Sequence, residues 1–302
     1  MGVEVVQEGY TAVTGGRVWY TIVGRGRGIP LLALHGGPGA NARTLAPLLA
    51  LSDERPVILY DQLGSGRSDR PDDPALWTLA RFVEELGQVR AALGFPHVHL
   101  LGNSWGSLLA AAYALGQPPG LVSLLLSGPW LSVPRFVEDV KLLKRQLPRA
   151  LQEAIARHEA AGTVDAPEYR AAEREWLHRY MCRNEQALRR LRAAFEEPRT
   201  GFNRQVYTTM QGPSEFSVTG NLREVDLAGR LHEIAQPVLL TCGRYDEMTP
   251  RTAAWYQSLF PRAELVVFEE SAHMAQFEEP ELYLRTVRAF LRRVEGEAAP
   301  SV

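Results

Sequence analysis

Ser104 lies in the run Gly102-Asn103-Ser104-Trp105-Gly106, a G-x-S-x-G spacing directly after a buried apolar stretch and directly before a helical one. A serine at such a junction is held in a sharp turn, and the flanking glycines let helix and strand approach closely. Its hydroxyl is presented at the carboxyl edge of a sheet. There the positive end of the following helix favours negative charge developing on a substrate oxygen. The same letters arise by chance in loops rich in Gly and Ser; the strand before and the helix after mark this serine as a candidate nucleophile.

A serine hydroxyl of ordinary acidity is a weak nucleophile. It needs a histidine base, and the base needs a carboxylate to orient it, in the chain order Ser, acid, His. Asp246 follows the apolar run Val238–Thr241 in Gly243-Arg244-Tyr245-Asp246, and His273 follows Leu265–Phe268 in Ser271-Ala272-His273-Met274. Loops at the carboxyl ends of strands are where an α/β sheet gathers functional groups. Among the other histidines, His158, His178 and His232 fall in or beside a helical stretch and are expected to be solvated, while His97 and His99 flank the start of a strand, at the wrong edge. Ser104, Asp246 and His273 are therefore the expected catalytic triad.

The tetrahedral intermediate of such chemistry also needs hydrogen-bond donors for its oxyanion. The backbone N–H of Trp105, the residue after the nucleophile, is one. The second is expected from His35-Gly36-Gly37-Pro38-Gly39, the loop after the early run Leu31–Leu34. Pro38 has no N–H, which leaves Gly36 or Gly37. Gly37 is preferred, because its missing side chain lets a substrate oxygen come close; a Gly-Pro turn serving only the fold is the alternative. Asp61-Gln62-Leu63-Gly64-Ser65-Gly66-Arg67-Ser68 has neither the lysine nor the spacing of a phosphate cradle and reads as a structural loop bordering the site.

The elements that must position these residues are legible as short runs. Tyr10–Val13 and Arg17–Val23, joined through Thr14-Gly15-Gly16, predict an antiparallel hairpin. Leu31–Leu34, Val57–Tyr60, Val98–Leu101 and Leu121–Leu126 are apolar on both faces, as strands of a covered parallel sheet are. Apolar residues at helical spacing from Leu79 to Leu93 predict a crossover helix, and Trp105–Leu115 a small-residue helix. From about Pro129 the texture changes. Phe136–Ala161 and Glu168–Glu197 are rich in Arg and Glu with helical periodicity, and strand-like runs resume only at Val238–Thr241 and Leu265–Phe268. Thr252–Leu259 and Leu282–Val294 complete the pattern as helices. The expected architecture is an α/β fold with a mostly parallel central sheet flanked by helices. Residues 1–128 and 236–302 would form the core, and 129–235 an inserted helical cap.

Composition narrows the partners. The 302 residues are 45% hydrophobic and 23% charged with a net charge of −2, so no field recruits nucleic acid or an anionic membrane. Of the basic residues only Lys141 and Lys144 are lysine, and the arginines are scattered instead of forming a stripe. Cys182 and Cys242 are too few for a disulfide framework or a four-thiolate zinc site. Glu4 and Glu8 occupy a start where a secretory signal needs a basic residue and an apolar run, and no stretch approaches the roughly 20 apolar residues of a membrane span. A cytoplasmic setting is expected; the oligomeric state is not legible.

HGGPG at His35–Gly39, DQLGSGRS at Asp61–Ser68, GNSWG at Gly102–Gly106 and GRYDEMTP at Gly243–Pro250 together resemble the α/β-hydrolase fold, and more narrowly the proline iminopeptidases (prolyl aminopeptidases, peptidase family S33). The similarity runs from about Tyr10 to about Leu291, and Gln211-Gly212-Pro213-Ser214-Glu215-Phe216 resembles the cap motif of tricorn-interacting aminopeptidases. The resemblance implies a serine aminopeptidase releasing an N-terminal proline or other apolar residue from short peptides, without metal or organic cofactor. It also implies that Glu215 and Glu247 bind the substrate's free α-amino group; carboxylates in a partly desolvated pocket suit that task. An amide or ester hydrolase with the same triad is the nearest rival, and a non-catalytic ligand-binding protein on the same fold a remoter one.

Overall fold

The computed structural model describes residues 5–298. Glu4 and the extreme ends of the expected core segments lie outside them. One sheet of eight strands organises the chain, in the order β1-β2-β4-β3-β5-β6-β7-β8. β1 (Val5–Val13) and β2 (Gly16–Val23) form the expected hairpin, and β2 pairs antiparallel with β4 (Val57–Tyr60). The remaining pairings, among β3 (Leu31–Leu34), β4, β5 (Val98–Asn103), β6 (Leu121–Ser127), β7 (Val238–Gly243) and β8 (Ala263–Phe268), are parallel.

The runs apolar on both faces are explained by what covers them. Leu32, Leu34 and Leu100 join a core with Leu86 of α1 (Leu79–Leu93), Leu108 of α2 (Trp105–Ala114) and Tyr256 of α8 (Pro250–Leu259). Leu31, Ala33 and Leu101, pointing the opposite way by strand alternation, pack with Leu45 and Leu48 of the 3₁₀ turns Ala42–Leu51 and with Val287 and Leu291 of α10 (Pro280–Ala298). Thr78 and Gly94 end α1 as N-cap and left-handed C-cap, as their types dictate.

Between β6 and β7 no strand joins the sheet among the described residues. The chain forms α3 (Val133–Lys144), α4 (Arg149–Ala161), α5 (Pro167–Trp176), a wide π turn at Leu177–Met181, α6 (Glu185–Glu196) and α7 (Arg204–Met210). The two long helical stretches expected from periodicity are thus each broken. Pro148 forces a new start in the first, and Asn184 caps a new helix in the second. The helical segment leaves and rejoins the core at one neck: Leu227 N–H donates to Leu131 O (2.9 Å) and Val133 N–H to Val225 O (2.9 Å). α9 (Ala275–Glu278) follows the loop after β8. No helix of the described residues is long and apolar enough to cross a membrane.

β3 is the turning point of the sheet. The chain passes from it to β4 on one side and later to β5 on the other, so the loops after β3 and β5 leave adjacent strand ends and diverge around a crevice.

Candidate active site

Ser104 follows β5 with φ 56° and ψ −122°, left-handed backbone that an L-residue adopts only under constraint. The constraint is packing. A β-carbon at Gly102 would stand 2.0 Å from the Gly106 carbonyl oxygen, and one at Gly106 would stand 2.3 Å from that of Leu34. The motif's glycines therefore let β3, β5 and α2 close on one another, and the turn that results carries Ser104 at the N-terminus of α2.

His273 and Asp246 arrive on the loops after β8 and β7. Nδ1 of His273 is 2.8 Å from Oδ1 of Asp246, which also accepts the Met248 N–H at 2.8 Å. Both side chains are buried, and Nε2 of His273 is left without a hydrogen-bond partner. That nitrogen is the one a base must keep for the nucleophile. A cavity of about 90 Å³ brings Gly36, Gly37, Asn103, Ser104, Glu215 and His273 into one lining. Of the two expected oxyanion donors, neither the Gly37 nor the Trp105 N–H is hydrogen-bonded within the described chain.

A feature of the bordering loop escaped the sequence. Gln62 receives the Trp105 indole N–H on its side-chain oxygen (2.8 Å) and donates from its amide to His35 O (3.0 Å), while its backbone N–H donates to His35 Nε2 (3.0 Å). His35 Nδ1 lies 2.9 Å from Gly36 O. Burial lowers the pKa of His35, which fits a neutral ring that donates at Nδ1 and accepts at Nε2. One glutamine thus ties the loop of Gly36 and Gly37 to the residue following Ser104.

The glutamates implied by the resemblance are beside the triad. Glu247 is fully buried; its Oε2 accepts the Trp176 indole N–H at 2.6 Å, and its Oε1 has no partner. Burial and the nearby Glu215 push its pKa up to about 8. Glu215, fronting the cavity and bonded to the Tyr207 hydroxyl, is also raised, chiefly by desolvation. Burial alone would lower the pKa of His273, but Asp246, Glu247 and Glu215 together raise it to about 9. An enclosed site with three carboxylates and one imidazole is a site short of positive charge.

The helical segment is tied to the loop that carries His273. Backbone N–H groups of His273 and Met274 donate to the carbonyls of Tyr180 and Met181 in the π turn, at 3.2 and 3.1 Å. Glu278 accepts from Ala272 N–H (2.8 Å) beside the base and from Arg183 N–H (2.6 Å) across the gap. Neither Trp176 nor Glu278 carried a signal in the sequence.

The expected non-participants sit elsewhere. His178 and His232 are exposed as expected, whereas the His158 side chain is largely covered, not solvated, with Nδ1 2.7 Å from the Thr163 hydroxyl. His99 is buried at the opposite end of β5 from Ser104.

Comparison with known proteins places this geometry. The alpha/beta hydrolase fold family matches residues 29–280. Over 289 residues the chain is 47% identical to the proline iminopeptidase of Heyndrickxia coagulans, spanning 95% of this chain and 99% of the relative. The solved structure of the Mycobacterium smegmatis proline iminopeptidase is 34% identical with a TM-score of 0.86, covering 97% of this chain and 100% of that one. VinJ is 33% identical with a TM-score of 0.91, covering 96% and 100%. The chain belongs to the α/β-hydrolase fold family and, within it, to the proline iminopeptidases.

Proposed function

We propose that the chain is a serine aminopeptidase that releases proline, or another apolar residue, from the free N-terminus of short peptides. The observation that carries this reading is the pair formed by half-buried Glu215 and fully buried Glu247 beside His273, with one oxygen of Glu247 unpartnered. Such a pair suits an ammonium. An amine held there sits one residue's length from the carbonyl to be attacked, and this fixes the enzyme at the first peptide bond.

In this mechanism Ser104 Oγ attacks the first carbonyl carbon as its proton passes to Nε2 of His273. Asp246 keeps the imidazole in the tautomer that leaves Nε2 free and stabilises the imidazolium. The oxyanion accepts hydrogen bonds from the Gly37 and Trp105 N–H groups. Collapse breaks the C–N bond, and His273 gives its proton to the departing amine. Water, deprotonated by His273, then attacks the acyl-enzyme, frees the amino acid and restores the serine hydroxyl. Residues 129–235 serve as a lid that excludes folded chains and supplies Glu215 and Trp176. The buried, unpaired Cys182 and Cys242 suit a reducing cytoplasm.

A fluorophosphonate probe tests the nucleophile. The reading expects a single adduct, mapped to the peptide holding Ser104, with proline β-naphthylamide hydrolysis lost in step. Labelling elsewhere with activity retained contradicts it.

A further inference from the structure

Past the small cavity at Ser104 the lid encloses a larger one of about 440 Å³. The two share Leu177, Phe195, Phe202 and Glu215 as common wall, so the larger space adjoins the one at Ser104. Glu215 is common to both spaces, and the remainder of the larger one carries four arginines, Arg170, Arg174, Arg192 and Arg204, against two carboxylates, Glu173 and Glu196.

Two of the four are engaged. Arg170 pairs with Glu173 at 2.5 Å and with Asp165, and Arg204 lies 3.7 Å from Asp165. Arg174, on α5, and Arg192, on α6, have neither an ion pair nor a hydrogen bond among the described residues. Arg192 is half-buried against a wall that includes Phe195 and Phe202. The other wall carboxylate, Glu196, is exposed at the end of α6. Guanidiniums favour planar carboxylates, which they bind through paired N–H donors, and more strongly beside apolar surface than in open water.

We propose that Arg174 and Arg192 receive the C-terminal carboxylate of the substrate, so that the enzyme reads both ends of a short peptide. The inference rests on the aminopeptidase reading: the ammonium end is held by Glu215 and Glu247, and the carboxylate end by the two free guanidiniums. A zwitterionic peptide then meets carboxylates at one end and unpaired guanidiniums at the other, across the two adjoining cavities. Lengthening the peptide carries its carboxylate past the arginines and removes the match.

The test compares Pro-Ala, Pro-Ala-Ala and Pro-Ala-Ala-Ala with their C-terminal amides, alongside proline β-naphthylamide, on the full-length protein. At one of these lengths the free acid has a kcat/KM about tenfold above its amide, as a charge-assisted contact supplies, with the difference mainly in KM. Arg174→Gln combined with Arg192→Gln brings acid and amide within about twofold, and the double lysine variant retains part of the preference. Arg189→Gln, on α6 but outside the cavity lining, leaves the acid preference intact. Equal kcat/KM for acid and amide at every length overturns the inference, as does a preference that survives in the double glutamine variant. Turnover of proline β-naphthylamide separates the two levels. If it is cleaved while acids and amides behave alike, the carboxylate site alone falls; if it is not cleaved, the aminopeptidase reading falls and takes the inference with it.

Discussion

Gly128 lies directly behind the imidazole of His273: a β-carbon at residue 128 would stand 2.3 Å from Cε1 and 2.6 Å from Nδ1. The backbone there cannot retreat. Its φ is +54°, and the Gly128 N–H is tied to Thr241 O at 2.8 Å. Gly128→Ala must therefore displace the ring from Asp246. The expected result is a fall in kcat of about 100-fold or more, the scale of a misplaced catalytic group, with native circular dichroism. Undiminished kcat in a folded Gly128→Ala protein contradicts the geometry.

The carboxylates around His273 raise its pKa against the effect of burial. Its pKa, raised to about 9, and that of Glu247, raised to about 8, describe one cluster that shares protons. A base must be neutral to accept the serine proton, so kcat/KM rises with pH as the cluster empties. Glu247→Gln removes a negative charge that favours the imidazolium. The ascending limb of the profile is then expected to move to lower pH. The plateau itself falls about tenfold or more, because an ammonium contact is lost. A limb that stays in place removes Glu247 from the electrostatics of the base.

Gln62 acts through its neighbours. Truncation in Gln62→Ala leaves the buried Trp105 indole N–H without an acceptor and frees the loop that carries Gly37. An unsatisfied buried donor costs about 1–3 kcal/mol, readable as a lower urea midpoint. If the loop positions an oxyanion donor, kcat also falls by about 10-fold or more while KM for proline β-naphthylamide holds. A loss of stability with unchanged kcat assigns Gln62 to the fold alone.

At the far edge of the sheet, His99 bonds Ser123 (2.7 Å) and Glu295 (3.1 Å). Burial, aided by the charge of Arg55, lowers its pKa to about 4, outweighing the pull of Glu295. Between the ordinary value near 6.5 and 4 the unfolded chain binds a proton that the folded chain refuses. Stability is therefore full above pH 6.5 and declines as pH falls toward 4, by at most about 3 kcal/mol. Urea midpoints of the wild type and His99→Gln, compared at pH 7 and pH 4.5, should converge at acid pH. A constant gap between them contradicts the assignment.

The strands were the most legible part of the fold. Leu31–Leu34 and Val57–Tyr60 are bounded as their apolar runs predict, because both faces of each are covered. Periodicity located the long helices but not their breaks at Pro148 and Asn184. It also missed α7 and the 3₁₀ turns at Ala42–Leu51, where Pro47 interrupts any helical pattern. At the site, the G-x-S-x-G pattern and the order of acid and histidine pointed to side chains whose types suit chemistry, and the structure puts Ser104 and His273 on one cavity lining with Asp246 hydrogen-bonded to the imidazole. Gly128, Gln62, Trp176 and Glu278 act by where they stand. Their positions depend on pairings such as Gly128 with Thr241 and Glu278 with Arg183, across separations that no local pattern encodes.

In the proposed reaction Glu215, half-buried, and Glu247, fully buried, read a free amine before the serine acts. The most direct measurement is kcat/KM for proline amide against N-acetylproline amide, in the wild type and in Glu215→Gln combined with Glu247→Gln. Acetylation is expected to abolish turnover in the wild type, and the double variant to lose most of its activity on the free amine alone. Equal turnover of the blocked and free substrates would contradict it.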